Sequence, residues 1–398
     1  MSQQYDIIGD IHGYYDELVS LLEKLGYQKR DGCWQHTERQ ALFIGDYIDR
    51  GPGQRNVIEL IRTMVEKGSA QAIMGNHEFN AIAFYTKDVD GTYLRPRSNH
   101  NITQHKEFLN EVAKKEEGVD IWAEVVDWFK TLPLWLDLDG IRLIHACWDQ
   151  PLIDRILKEY GTNKLTDQFL ARAAKKGTWE YEAIETLLKG KEVDLPNGIS
   201  FEDKEGIVRH NMRVKWWDSS ANTYSKAYMG PEIPEGTIPD DLIESSEAWV
   251  SYSSEEKPVF IGHYWLSDDP EPLASNIACT DYSVARLGGK LVAYRWSGEK
   301  ILSKENFKAV GRIGLGNRQR GLEMTQENQI TDIDIDSLNP ADFTYRYQVA
   351  EYVLKRNGTN DQIYKAVMKV FPNSRPNYSR AQKYRSCWKL NGHCRGPF

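Results

Sequence analysis

The chain has 398 residues, is 40% hydrophobic and 27% charged, and carries a formal net charge of −8. This composition excludes a disordered or fibrous chain, and at about 100–200 residues per domain the length allows two or three domains with a core that needs no covalent staple. The charge is uneven: from Asn339 to Phe398 eleven Lys/Arg stand against three Asp/Glu, so this tail is +8 and the remainder −16.

In chain order, short apolar runs recur, and each stops at polar residues. YDII reads as a buried strand leading into Gly9-Asp10-Ile11-His12-Gly13. YYDELVSLLEKLGY then sets Leu18, Leu21, Leu22 and Leu25 at helix spacing, with Gly26 as the C-terminal stop. ALFI leads into Gly45-Asp46-Tyr47-Ile48-Asp49-Arg50-Gly51, and NVIELIRTMVEKG repeats the helical pattern up to Gly68. AQAIM leads into Gly75-Asn76-His77-Glu78. From about Asn80 to Gly118 runs a long excursion in which Arg95, Arg97, His100 and His105 are expected to form a solvated face, with a substrate-reading rim of the pocket as the alternative. IRLI leads into His145-Ala146-Cys147, and a helical insertion follows at about 150–257. KPVFI leads into Gly262-His263-Tyr264, after which SNIACTDYSV and KLVAYRWSG read as antiparallel strands joined at LGG.

Alternation of strands and helices predicts an α/β core, in which side chains beyond the strand ends converge on one site. We expect a catalytic domain over 1–310, a polar linker over 311–338, and a basic helical unit of helix-turn-helix rhythm over 339–398. No membrane span is expected, because no apolar run approaches ~18 residues. The N-terminus lacks a signal peptide's basic and apolar regions. Five cysteines at unrelated spacings suit reduced thiols, so a cytoplasmic location is expected.

The polar residues at the strand ends are Asp10, His12, Asp46, Asn76, His145 and His263. Carboxylate, amide oxygen and imidazole together suit borderline divalent cations such as Mn, Fe or Zn, with Mn placed first. Two cations about 3.5–4 Å apart need a bridging carboxylate, and Asp46 is the natural candidate. Cys147 lacks the Cys-X5-Arg loop of a thiolate nucleophile and reads as a packing residue.

Gly-Asp-X-His-Gly, Gly-Asp-X-X-Asp-Arg-Gly, Gly-Asn-His-Glu and two later histidines resemble the signature of the phosphoprotein phosphatase (PPP) branch of the calcineurin-like binuclear metallophosphoesterases. Further stretches, GHYWLSDDPEPLASNIACTDYSV and LPLWLDLDGIRLIHACW, look like uncharacterised bacterial and phage members of that branch. The resemblance covers roughly residues 5–300 and implies a β-sandwich flanked by helices. It implies Asp10 and His12 on one metal, Asn76, His145 and His263 on the other, and Asp46 shared. It also implies that a hydroxide generated by the two cations attacks phosphorus, with His77 as general acid and Asp49 as its anionic partner. Arg50 would bind phosphate; a second arginine is expected in RHNMRVKWWD, where Arg213 is favoured over Arg209. The chain departs from the eukaryotic pattern at His145-Ala146-Cys147-Trp148, where Gly-Gly would follow the histidine.

The expected activity is a metal-dependent phosphomonoesterase on phosphoserine, phosphothreonine or phosphotyrosine in proteins. A dinucleoside polyphosphate hydrolase or nucleic-acid end phosphatase is the alternative. A third alternative is a DNA-binding protein that uses the fold as a scaffold. Arg380, Lys383 and Arg385, with Tyr378, Tyr384 and Trp388 among them, would carry nucleic-acid contacts in the tail.

Overall fold

Alternation along each short strand decides which side chains meet between the sheets and which meet the helices. The computed structural model describes residues 3–312, except 114, 117–118, 197, 203–207, 231–232, 234–235, 245–248, 251 and 287, together with Lys369. The chain divides into two units, Met1–Arg312 and Ile313–Phe398. Of the linker expected over 311–338, Gly311 instead ends the strand Phe307–Gly311, and residues 313–338, like the basic module apart from Lys369, lie outside the described residues.

Ten strands build the two main sheets. They are β1 (Gln4–Ile8), β2 (Arg39–Phe43), β3 (Ala70–Ala72), β4 (Trp135–Asp137), β5 (Arg142–Ile144), β6 (Val259–Ile261), β7 (Ile277–Cys279), β8 (Asp281–Tyr282), β9 (Lys290–Trp296) and β10 (Phe307–Gly311). One sheet runs β8-β9-β1-β2-β3 with β10 on β9; the other runs β7-β6-β5-β4. Strands β1, β2 and β3 are parallel, and β9 lies antiparallel to β1.

Tyr5, Ile7, Leu42, Ile44, Leu143, Phe260, Ala278, Val292 and Tyr294 pack together between the sheets. Their chain neighbours Ile8, Ala41, Phe43, Ile144, Val259, Ile261 and Ala293 belong to the other core, against the helices. Burial of each large aliphatic side chain stabilises by about 1.5–3 kcal/mol. The result is the expected α/β sandwich flanked by helices.

The flanking helices are α1 (Tyr15–Lys24), α2 (Gln54–Glu66), α3 (Asn76–Tyr85), α4 (Asn99–Gln104), α5 (Lys106–Val112), α6 (Ile121–Thr131), α7 (Gln150–Tyr160), α8 (Asp167–Ala173) and α9 (Trp179–Lys189). In α1 the spaced leucines Leu18, Leu21 and Leu22 are buried, as their period requires. The insertion starts with α7 to α9, capped by Asp149, Thr166 and Thr178, each side chain accepting a backbone N–H in the first turn.

SNIACTDYSV is not one strand. Its first part, β7, pairs parallel with β6, while β8 pairs antiparallel with β9 in the other sheet. The chain changes sheets at Thr280, and the buried Asp281 carboxylate next to it accepts N–H groups from Trp265 (2.8 Å) and Ser283 (2.9 Å).

Candidate metal centre

The segments that follow β1, β2 and β3 are stitched backbone to backbone. Ile11 and His12 N–H donate to the Asp46 carbonyl at 3.0 and 2.8 Å, Gly13 N–H to Tyr47 at 2.7 Å, and Gly51 N–H to His12 at 2.7 Å. Glu78, fully buried in the first turn of α3, accepts from the N–H groups of Asp46, Tyr47 and Gly75 at 2.8, 2.9 and 3.0 Å. Burial and then the Asp46 charge lift its carboxyl to about 7. Six non-glycine residues around the site take left-handed backbone: His12, Asp46, Asp49, Arg50, His263 and Trp265, with φ from 50° to 76°. Each costs about 1–2 kcal/mol, and such strain gathers at functional sites.

Asp46 lies at the centre. Its carboxylate is 3.8 Å from Nε2 of His12, 3.8 Å from Nε2 of His77 and 3.3 Å from Nε2 of His145. The Asn76 amide oxygen is 3.0 Å from His145 Nε2 and 2.9 Å from His263 Nδ1. Ligand atoms of His12, Asp46 and His77 lie within 4.8 Å of one another, and so do those of Asp46, His145 and His263. Asp46 is common to both triples; Asp10 is in neither, and His77 takes the place expected for it. Asp10 is nevertheless at hand: its Oδ2 accepts His263 N–H at 3.1 Å. Carboxylate and backbone approach closely here, for a Cβ on Gly262 would sit 2.2 Å from Asp10 Oδ1, and one on Gly75 2.3 Å from Asp46 Oδ1.

The donors fit divalent cations for a reason internal to this site. Nδ1–H of His12 donates to the Ile48 carbonyl at 2.9 Å, and Nδ1–H of His145 to the Ile44 carbonyl at 2.8 Å. The Nε2 lone pair of His12 is thereby turned towards the Asp46 carboxylate, acceptor against acceptor, while at His145 burial opposes charge but the Asp46 charge outweighs it and raises the pKa. Asp10 Oδ1, His12 Nε2 and His263 Nε2 are buried and lack a hydrogen bond. Each such atom costs about 1–3 kcal/mol, which divalent cations bound here would offset. The titrations express the same crowding. Burial, then the Asp281 and Asp46 charges, raise the Asp10 carboxyl, and burial, then Arg50, depress His12 to about 3.

Beside this cluster His77 Nδ1 meets Asp49 Oδ2 at 2.5 Å. Burial opposes ionisation of Asp49, but hydrogen bonds from His105 and His77 outweigh it and hold the carboxyl at about 2. Burial likewise opposes charge on His77, and the Asp46 charge with the Asp49 bond outweighs it, so its pKa is raised. Arg50 is exposed, with its guanidinium 3.7 Å from the centre of the Trp265 indole. Arg213 ends the strand Asn211–Arg213; its Nε is 3.7 Å from Glu192, and its charge, after burial, depresses His263. Arg209 is exposed. Cys147 is buried, and burial pushes its thiol well up, as befits a packing residue.

The expected solvated face is corrected in part. Arg97 and His100 are exposed, but His105 is 1% exposed and its Nδ1 lies 3.0 Å from Asp49. The signal for its burial was present: Phe108 and Val112, one turn apart, anchor α5 in the core and draw in the residue before it. Glu78 was quoted within its motif without a role; its place three residues after Gly75 was the cue for a capping box.

A family model described as calcineurin-like phosphoesterase matches residues 5–221. The chain belongs to the calcineurin-like phosphoesterase family. That places it among the hydrolases of phosphoric esters. Curated relatives of this phosphoesterase include proteins named bis(5'-nucleosyl)-tetraphosphatase PrpE. The one from Halalkalibacterium halodurans is 36% identical over 146 residues, 36% of this chain and 56% of the relative. The one from Geobacillus thermodenitrificans is 44% identical over 177 residues, 44% of this chain and 69% of the relative. The chain thus spans about half the length of the first of them. Similar solved structures include a protein serine/threonine phosphatase from Saccharomyces cerevisiae, with 12% identity, TM-score 0.42 and coverage of 78% of this chain and 81% of that one. A cold-active protein-tyrosine phosphatase from a Shewanella species shows 16% identity, TM-score 0.37 and coverage of 75% and 80%. Among the described residues no helix is long and apolar enough to cross a membrane.

Proposed function

We propose that this phosphoesterase holds two divalent cations on Asp10, His12, Asp46, Asn76, His145 and His263, and that its preferred substrates are nucleoside polyphosphates. The observation that carries the metal-dependent reading is the buried set of acceptors turned on one another around Asp46, next to the His77–Asp49 pair. Bound there, the cations, with Mn ahead of Fe and Zn, would supply Lewis acidity towards phosphate oxygens and acidify a water molecule. The chain's own groups do the rest. Asp49 keeps its charge and orients His77, which holds a proton on Nε2 for the leaving oxygen. Arg50, kept flat by Trp265, offers a planar fork to phosphate oxygens, and Arg213 is the second phosphate contact.

Two observations favour polyphosphates. The relatives' printed names point to that substrate class. Arg286 also approaches Trp265, its guanidinium 5.6 Å from the ring centre, and it makes no other side-chain hydrogen bond or ion pair among the described residues. Two guanidiniums about one indole suit a run of phosphates better than a single one. The second reading, phosphoserine, phosphothreonine or phosphotyrosine in proteins, is favoured by the full match to the three PPP motifs. Nucleic-acid ends and a DNA-binding scaffold rank below both, since they rest on the charge, helical rhythm and aromatic residues of the tail alone.

The test is turnover by the full chain with Mn²⁺, on 4-nitrophenyl phosphate first. A panel of diadenosine tetraphosphate, phosphopeptides and end-phosphorylated oligonucleotides follows. On esters whose leaving oxygen is strongly basic, His77→Ala is expected to lower turnover by about 10²–10⁴-fold. Arg286→Ala is expected to lower kcat/KM about tenfold on the tetraphosphate and less on the aryl ester. No hydrolysis with Mn²⁺, Fe²⁺ or Zn²⁺ would leave the scaffold alternative standing. Preference for phosphopeptides would put the second reading first.

A further inference from the structure

Asp49 has a second imidazole partner, supplied by a segment that the His77–Asp49 pair does not itself require. His105 sits between α4 and α5 with Nδ1 3.1 and 3.0 Å from the two Asp49 oxygens. Its Nε2 lies 2.9 Å from Nη1 of Arg95, whose Nη2 donates to Gln104 at 2.6 Å. Guanidinium only donates, so His105 Nε2 accepts and Nδ1 carries the proton. The proton direction along this chain is therefore set: Arg95 donates to His105, His105 to Asp49, and His77 to Asp49 from the opposite side.

The same excursion grips the loop again. Glu111 on α5 accepts N–H from Gln54 (3.2 Å) and Arg55 (2.9 Å) at the start of α2. The Gln54 side chain in turn accepts Asp49 N–H at 2.7 Å. Asp49 is thus held by its backbone through Gln54 and by its carboxylate through His105. One free carboxylate rotation would turn Oδ2 away from His77, and these contacts remove it.

We propose that His105, backed by Arg95, is a positioning residue that fixes the Asp49 carboxylate so that His77 Nε2 stays aimed at the leaving oxygen. This rests on the reading of His77 as the acid. Its signature is selectivity for the leaving group, because an acid matters most where the departing oxygen is basic.

The experiment compares phenyl phosphate with 4-nitrophenyl phosphate, whose leaving group departs with little help from a proton, using the full chain with Mn²⁺. His105→Ala is expected to lower kcat on phenyl phosphate about 10–100-fold, and on 4-nitrophenyl phosphate by a few-fold at most, with KM nearly unchanged. His105→Asn keeps a donor where Nδ1 stood and should recover most of the loss. The downfield proton resonance of His77 Nδ1–H should move in His105→Ala, with or without metal. A folded, metal-binding His105→Ala that slows both esters equally, or neither, overturns the proposal. If that variant does not fold, Arg95→Met carries the same test, and an unchanged ester ratio overturns it. A wild-type chain inactive on both esters would count against the functional reading alone. An unmoved His77 resonance would then still overturn the role of His105.

Discussion

Three backbone N–H groups end on Glu78, so this carboxylate shapes the site from beneath rather than from within it. Glu78→Gln puts an amide NH2 against at least one of those donors. The expected cost is about 1–3 kcal/mol, read as a lowered urea midpoint. An unchanged midpoint would mean that the loops hold without it. Asp10, His12, Asp46, Asn76, His145 and His263 could be picked out as candidates in the sequence because each lies at or just beyond the end of an apolar run. For Glu78 and His105 local spacing hints only at burial, because Tyr47 and Asp49, the partners that give them a role, lie 31 and 56 residues away. Arg95 shows the same limit: a charged residue looks solvated until its acceptors, here His105 and Gln104, are known.

At the scale of elements, strands of three to five residues were readable from their apolar runs, and α1 and α2 from leucine and isoleucine spacing. The break at Thr280 was not, because one continuous β-like run serves two sheets. Helix α5 has a task beyond packing: through Glu111 it satisfies two N–H groups in the first turn of α2. Glu111→Ala is expected to destabilise by about 0.5–2 kcal/mol, the range of a lost helix cap. The check is thermal unfolding, in which a midpoint equal to that of the wild type would show the contact to be dispensable.

For the molecule as a whole, cation uptake by the cluster around Asp46 would be tied to folding. Removal of divalent ions by a chelator should lower the melting midpoint, and Mn²⁺ at a hundred times its Kd should restore about 2.7 kcal/mol. A midpoint indifferent to both treatments would deny the cluster its cation. That the unit Met1–Arg312 has an α/β core followed from strand and helix alternation, and its sandwich of sheets from the family resemblance, whereas the excursion and insertion carry side-chain contacts that no alternation encodes. The left-handed residues bordering the site set two selective pressures against each other. Heat tolerance alone would pull such positions towards glycine, which takes that backbone without steric cost, while ester cleavage needs imidazole, carboxylate and guanidinium there. The protein therefore stands below the robustness its architecture could reach, and the shortfall is concentrated where its chemistry happens.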